Sequence, residues 1–155
     1  MEKFTFFWDG PFSQWYPSRF KIDGYHYTCA EQYMMVEKAR LFDDKDAALM
    51  IMATSDPKEM KRLGRSVKGF NADKWNSVAK DVVFRASMAK YAQNPDLKVL
   101  LLATKGTTLV EASPYDKVWG IGLPRDDPRA EDRSRWQGTN WLGETLTLVR
   151  ELMPV

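Results

Sequence analysis

Glu111-Ala-Ser-Pro-Tyr-Asp-Lys-Val-Trp-Gly-Ile-Gly122 packs two carboxylates, a Trp, a Pro and two glycines into one short stretch. It follows Thr107-Thr-Leu-Val-Glu-Ala112, whose alternation fits a strand. Ser113-Pro114 then stops the strand, because Pro has no N–H and restricts the residue before it. Asp116 and Trp119 therefore fall in a loop. Gly120 and Gly122 permit positive φ or close backbone approach, so the loop can fold tightly against a ligand or against another segment of chain. The same residues also read as a structural turn, with Trp119 in the core and Asp116 bonding neighbouring backbone N–H groups.

On the N-terminal side, Asn94-Pro95-Asp96 starts a short helix with Leu97, Leu100 and Leu101 that ends near Gly106. Before it comes the longest helical pattern, begun by Asp73, in which Trp75, Val78, Ala79, Val82, Val83, Ala86 and Ala89 recur at steps of three and four. That face is core. Asp56-Pro57 opens another helix that Gly64 closes, and Asp44 precedes an apolar helical run through Ala53. Arg62, Arg65 and Lys68 make a small basic cluster, either a solvated face or a phosphate site.

Further back, Thr28-Cys-Ala-Glu31 matches a capping box and predicts a helix from about Cys29 to Phe42. Lys38 lies seven residues beyond Glu31, nearly two turns, on the same side. Arg19–Ile22, Asp23-Gly24 and Tyr25–Tyr27 carry the signature of a hairpin with a primed turn. Phe12-Ser-Gln-Trp-Tyr-Pro-Ser18 is an aromatic loop in which the hydroxyls of Ser13 and Tyr16 lie among rings; such a loop can hold a ribose phosphate or a base. Lys3–Trp8 reads as a strand. On the C-terminal side, residues 123–135 oppose four Arg with four acids, the pattern of a mobile mixed-charge surface loop, and Asn140 is placed to cap a closing helix Trp141–Met153.

A chain of 155 residues is most economically one domain, here residues 1–155, able to bury about two thirds of its unfolded surface. One cysteine, Cys29, rules out an internal disulfide, and no signal peptide or long apolar run is evident, so a cytoplasmic location is expected. His26 is the only histidine. No Cys or His partner stands at ligand spacing, so neither a metal nor a cofactor is expected. A net charge of +2, from 23 basic and 21 acidic residues, announces neither nucleic acid nor membrane as an obligatory partner, and no obligate protein partner is evident.

Ala30-Glu31-Gln32-Tyr33 with Lys38-Ala39, the Ser113–Gly122 loop, and Gly138-Thr-Asn140-Trp-Leu142-Gly143 with Arg150 together resemble the NADAR family, also called YbiA-like. The resemblance runs from Phe4 to Leu152. Two departures concern substrate preference: Trp15 stands where Phe is more usual, and the 124–135 loop is longer. The resemblance implies an α+β, predominantly helical single domain with a few short strands. It also implies hydrolysis of the bond between a ribose anomeric carbon and an exocyclic amine. Two substrate classes go with it: phosphorylated ribosylaminopyrimidine intermediates of riboflavin synthesis, and ADP-ribose on guanine in nucleic acid. The partner expected is thus a small ribosylamine phosphate, with ADP-ribose or ADP-ribosylated nucleic acid as the alternative.

Such chemistry needs a proton for the leaving amine and either an activated water or an amine nucleophile at the anomeric carbon. On the family resemblance, the expected catalytic residues are Lys38 as the amine, Glu31 as the proton shuttle and Asp116 as a second carboxylate. Lys38 needs desolvation to bring its pKa towards neutrality. In the rival scheme Lys38 acts electrostatically and a carboxylate activates water. Trp119 is expected to stack on the base, Asn140 to hydrogen-bond the ligand, Arg65 to meet the phosphate, and Ser13, Tyr16 and Gly120 to line the site. A binding module that holds ADP-ribose or a nucleotide without cleaving it would use many of the same residues. A protein-interaction domain would use the Trp residues but leave the carboxylates and Lys38 without a task.

Overall fold

A computed structural model describes residues 1–154. The elements run β1 (Phe4–Phe7), β2 (Phe20–Ile22), β3 (Tyr25–Tyr27), α1 (Ala30–Leu41), α2 (Lys45–Met52), α3 (Pro57–Arg65), α4 (Ala72–Gln93), α5 (Pro95–Leu102), β4 (Thr108–Glu111) and α6 (Trp141–Leu152), with two 3-10 turns at Pro128–Glu131 and Arg133–Arg135. The class is α+β and predominantly helical, as expected. By contact the chain groups into two units, Gln14–Asn94 and the remainder, Met1–Ser13 with the chain from Pro95 onward.

In the Gln14–Asn94 unit, β2 and β3 pair antiparallel, Phe20 opposite Tyr27. Asp23 and Gly24 both take positive φ, 52° and 85°, which is the primed turn that the right-handed twist of the strands requires. The Gln93 amide donates to the Lys21 carbonyl and accepts from its N–H, which fixes the hairpin to the end of α4. Helix α1 packs on α2, α3 and α4. It starts at Ala30, one residue later than the capping box predicts, with Cys29 as N-cap and no side-chain cap. The reason is local competition: Thr28 spends its N–H and hydroxyl on the Gln32 amide oxygen, and the Glu31 N–H is taken by the Gln14 carbonyl at 3.0 Å.

Helix α3 continues one residue past Gly64 instead of ending there. A side chain at 64 would run into the Met35 sulfur, at 2.0 Å from an added Cβ, so this glycine serves close packing of α3 on α1. Helix α4 is capped by Asn71, whose amide oxygen accepts from the Lys74 N–H. Its buried stripe runs through Trp75, Ala79, Val82, Val83 and Ala86 to Lys90 and Tyr91.

In the other unit, β1 and β4 lie parallel with Phe4 beside Thr108 and Phe7 beside Glu111, and α6 packs on β4. Val110, Ile121, Leu123 and Ala130 form a core against Phe4, Phe6 and Trp136. The charged loop, expected to be mobile, is instead built into the two 3-10 turns. Asp127 and Asp132 cap them, Arg129 chelates Asp127, and Arg133 bridges Glu2 and Glu144. Local pairing of neighbouring opposite charges gives that stretch a defined shape, which a charge count alone does not show. Among the described residues no helix is long and apolar enough to cross a membrane.

Candidate active site

Helix α1 carries the first group. Glu31 is 4% exposed, in the first turn, where the helix dipole favours a negative charge. Lys38 is half-buried two turns on, about 10 Å along the axis and on the same face. Its ammonium sits 4.6 Å from the centroid of Phe70. Burial pulls the Lys38 pKa below the ordinary lysine range, the Glu31 carboxylate pushes it back up, and the Arg65 guanidinium lowers it further. Burial is thus the largest influence on the Lys38 ammonium. Arg65 itself is exposed, in the last turn of α3.

The second group is the loop after β4. Ser113 Oγ accepts from the N–H groups of Tyr115 and Asp116, and Asp116 Oδ1 accepts from Val118 at 2.9 Å and Trp119 at 2.8 Å. Asp116 thus closes the turn with one carboxylate oxygen. Trp119 is half-buried and packs edge-on against Trp141, ring centroids 5.5 Å apart. Gly120 is buried where a Cβ would lie 2.7 Å from Glu111 Oε2 and 2.9 Å from the carbonyls of Glu111 and Asp116, and Gly122 takes φ +70°. Close approach applies at the first glycine and positive φ at the second.

Asn140 is fully buried in left-handed conformation, φ 53°. Its amide oxygen accepts from the Glu111 N–H at 2.9 Å, its NH2 donates to the Leu109 carbonyl at 3.0 Å, and its backbone N–H reaches the Gly120 carbonyl. It clasps β4 to the start of α6 and to the Asp116 loop. Ser13 and Tyr16 are half-buried; the Ser13 N–H closes a turn on the Gly10 carbonyl, and the Tyr16 carbonyl accepts from Ser18 Oγ. Glu31, Lys38, Arg65 and Tyr16 belong to the Gln14–Asn94 unit, and Ser13, Asp116, Trp119, Gly120 and Asn140 to the other.

The NADAR domain family model matches residues 6–153. The chain belongs to the NADAR family. It is 43% identical over 90% of its length to N-glycosidase R617 of Acanthamoeba polyphaga mimivirus, covering 85% of that protein. It is also 43% identical to Protein irg-1 of Caenorhabditis elegans, over 90% of this chain and 74% of that one. It shares 33% identity over 81% of its length with 18% of the maize chloroplastic riboflavin biosynthesis protein PYRR. The solved NMR structure of the E. coli protein YbiA superposes with a TM-score of 0.79 at 30% identity, covering 97% of this chain and 85% of that one. NADAR relatives named N-glycosidases are hydrolases of N-glycosyl bonds.

Two features escape a reading of the sequence. Gln14 fixes the first turn of α1 through its carbonyl, a role carried by the backbone and so invisible in residue type. Lys90 is 2% exposed, and burial brings its pKa down to about 7. The signal for it was available: Lys90 stands four residues after Ala86, on the apolar stripe of α4.

Proposed function

We propose that this chain is an N-glycosidase that cleaves the bond between a ribose anomeric carbon and an exocyclic amine, acting in the cytoplasm on phosphorylated ribosylaminopyrimidines. The observation that carries the reading is the half-buried Lys38 ammonium, with its lowered pKa, on the same helix face as the buried Glu31 carboxylate. The names of the N-glycosidase relatives support the reaction class, and that of the maize riboflavin protein supports the substrate class. The match over residues 6–153 supports treating both units as one working domain.

The chemistry follows from the groups. A ribosylamine opens to an imine at C1′ with the ring oxygen protonated. Neutral Lys38 adds its amine to C1′, Glu31 moves a proton to the departing amine nitrogen, and the C1′–N bond to the pyrimidine breaks as the Lys38 Schiff base forms. Water then adds to that Schiff base and releases the ribose phosphate as its aldehyde, returning the lysine amine. Asp116 is the second carboxylate of the proposal; the Val118 and Trp119 N–H groups occupy its Oδ1, so Oδ2 is the oxygen assigned to this work. Trp119 offers its ring to the base and Arg65 its charge to the phosphate, and Gly120 holds the loop in shape; Asn140, expected to hydrogen-bond the ligand, has its amide engaged by Glu111 and Leu109 and acts through the loop instead, and Ser13 and Tyr16 complete the binding set.

A product assay tests the proposal. Purified protein is incubated with a ribosylaminopyrimidine phosphate and, in parallel, with ADP-ribosylated guanine DNA, and released sugar is followed by mass spectrometry. Release of ribose phosphate from the first is expected. Release of ADP-ribose alone transfers the substrate to modified nucleic acid, and ligand bound but left intact in both makes the chain a binding module.

A further inference from the structure

A separate cavity of about 510 Å³ opens in the Gln14–Asn94 unit, lined by Trp15 and the Pro17–Arg19 segment, by Thr28 and Cys29, by Ser55 and Pro57 at the start of α3, and by Asn94. That volume is within the range of small-molecule sites. Neither Glu31 nor Lys38 lines it. Lys38 lies nine residues beyond Cys29 along α1, about 13 Å of helix rise away.

The walls have a definite chemistry. Trp15 is 41% exposed and is the one aromatic side chain in the lining. Pro17 and Pro57 add rigid apolar rings without N–H groups. Arg19 is exposed and makes no ion pair among the described residues, so its planar fork is available to a phosphate. The Asn94 NH2 is spent on the carbonyls of Arg19, at 3.0 Å, and Lys90, at 2.8 Å, which turns its carbonyl oxygen into the acceptor of that wall. Ser55 adds an exposed residue with a hydroxyl. The unit holds 14 basic against 10 acidic residues, a net +4 that favours an anionic ligand.

We propose that this cavity is a second ligand site, for a planar ring that carries one anionic group, the class of a nucleoside monophosphate. The ring stacks on Trp15 and lies between the prolines, the phosphate pairs with Arg19, and an exocyclic amino N–H of the base reaches Asn94 Oδ1. The site borrows Trp15, Pro17 and Ser18 from the aromatic loop, but none of the residues given a role in the N-glycosidase reading lines it.

The test is a titration of labelled full-length protein with AMP, adenosine and inorganic phosphate, followed by amide and indole NMR shifts. Saturable AMP-induced shifts of Trp15 Nε1–H, Ser18, Thr28, Ser55 and the Asn94 side chain are expected, with a Kd below about 1 mM. Arg19→Ala and Trp15→Ala change exposed side chains and should each weaken AMP at least about tenfold. Lys38→Ala should leave AMP affinity unchanged. Shifts that do not saturate, that centre on the Glu31–Lys38 face, that phosphate alone reproduces in full, or that survive both cavity variants would overturn the proposal.

Discussion

The Glu31 carboxylate, buried at the start of α1, raises the pKa of the Lys38 ammonium on the same helix face, against a larger lowering by burial. Arg65 acts on the same ammonium in the opposite sense to Glu31. One amine is thus poised by burial and trimmed by two charges of opposite sign, and each influence can be removed separately.

A pH–rate profile reads those influences directly. Lys38 attacks only when neutral, so kcat/KM should rise with pH through its pKa. Glu31→Gln removes a raising influence and should shift that limb to lower pH, besides lowering the rate on the order of a hundredfold. Arg65→Ala removes a lowering influence and should shift the limb to higher pH. Limbs that stay in place in both variants would detach Lys38 from the rate.

Gly120→Ala should destabilise the loop that carries Asp116 and Trp119. An added Cβ would meet two backbone carbonyls at 2.9 Å, groups that cannot swing aside as a flexible side chain can. A loss of about 1–3 kcal/mol in urea unfolding is expected, the usual cost of overpacking. Unchanged stability would show that this close approach imposes no constraint.

How much of this was legible in the sequence depends on what a residue type can reveal. The Asp23-Gly24 turn, the Asp44 and Asp56 caps and the strand ended by Ser113-Pro114 were legible because each rests on local backbone chemistry. Asp116 reads from sequence both as a site residue and as a turn former; the turn bonds are present. The Thr28 capping box is overridden by Gln32, a local competitor four residues on, and by Gln14, whose proximity to Glu31 the fold creates. Gly64 reads as a helix stop from sequence, yet it is a packing residue, since Met35 of α1 is remote in sequence. Likewise, the clasp that Asn140 makes on β4 joins residues some thirty positions apart.

Lys90 gives a stability prediction with a definite sign. Burial holds its folded pKa at about 7, against about 10.4 in an unfolded chain. Between those values the unfolded chain keeps a proton that the folded one lacks, so this group makes stability rise with pH, and its burial is most costly below pH 7. Lys90→Met should therefore be more stable than the parent chain near pH 6, with the gap shrinking by roughly 3 kcal/mol by about pH 9. The raised pKa of Tyr91 comes from burial, acts in both proteins and cancels, while the Cys29 thiol, which acts electrostatically on Lys90, is itself raised by burial above the ordinary thiol range. A gap that is constant with pH would contradict the assignment.

The most direct test of the central claim is borohydride reduction during turnover of a ribosylaminopyrimidine phosphate, followed by intact-mass measurement and peptide mapping. The expected result is a single ribose phosphate adduct on the peptide that contains Lys38, absent in Lys38→Ala and formed slowly in Glu31→Gln. No adduct in a protein that turns the substrate over, or an adduct on the Lys90 peptide, would contradict the nucleophilic role of Lys38.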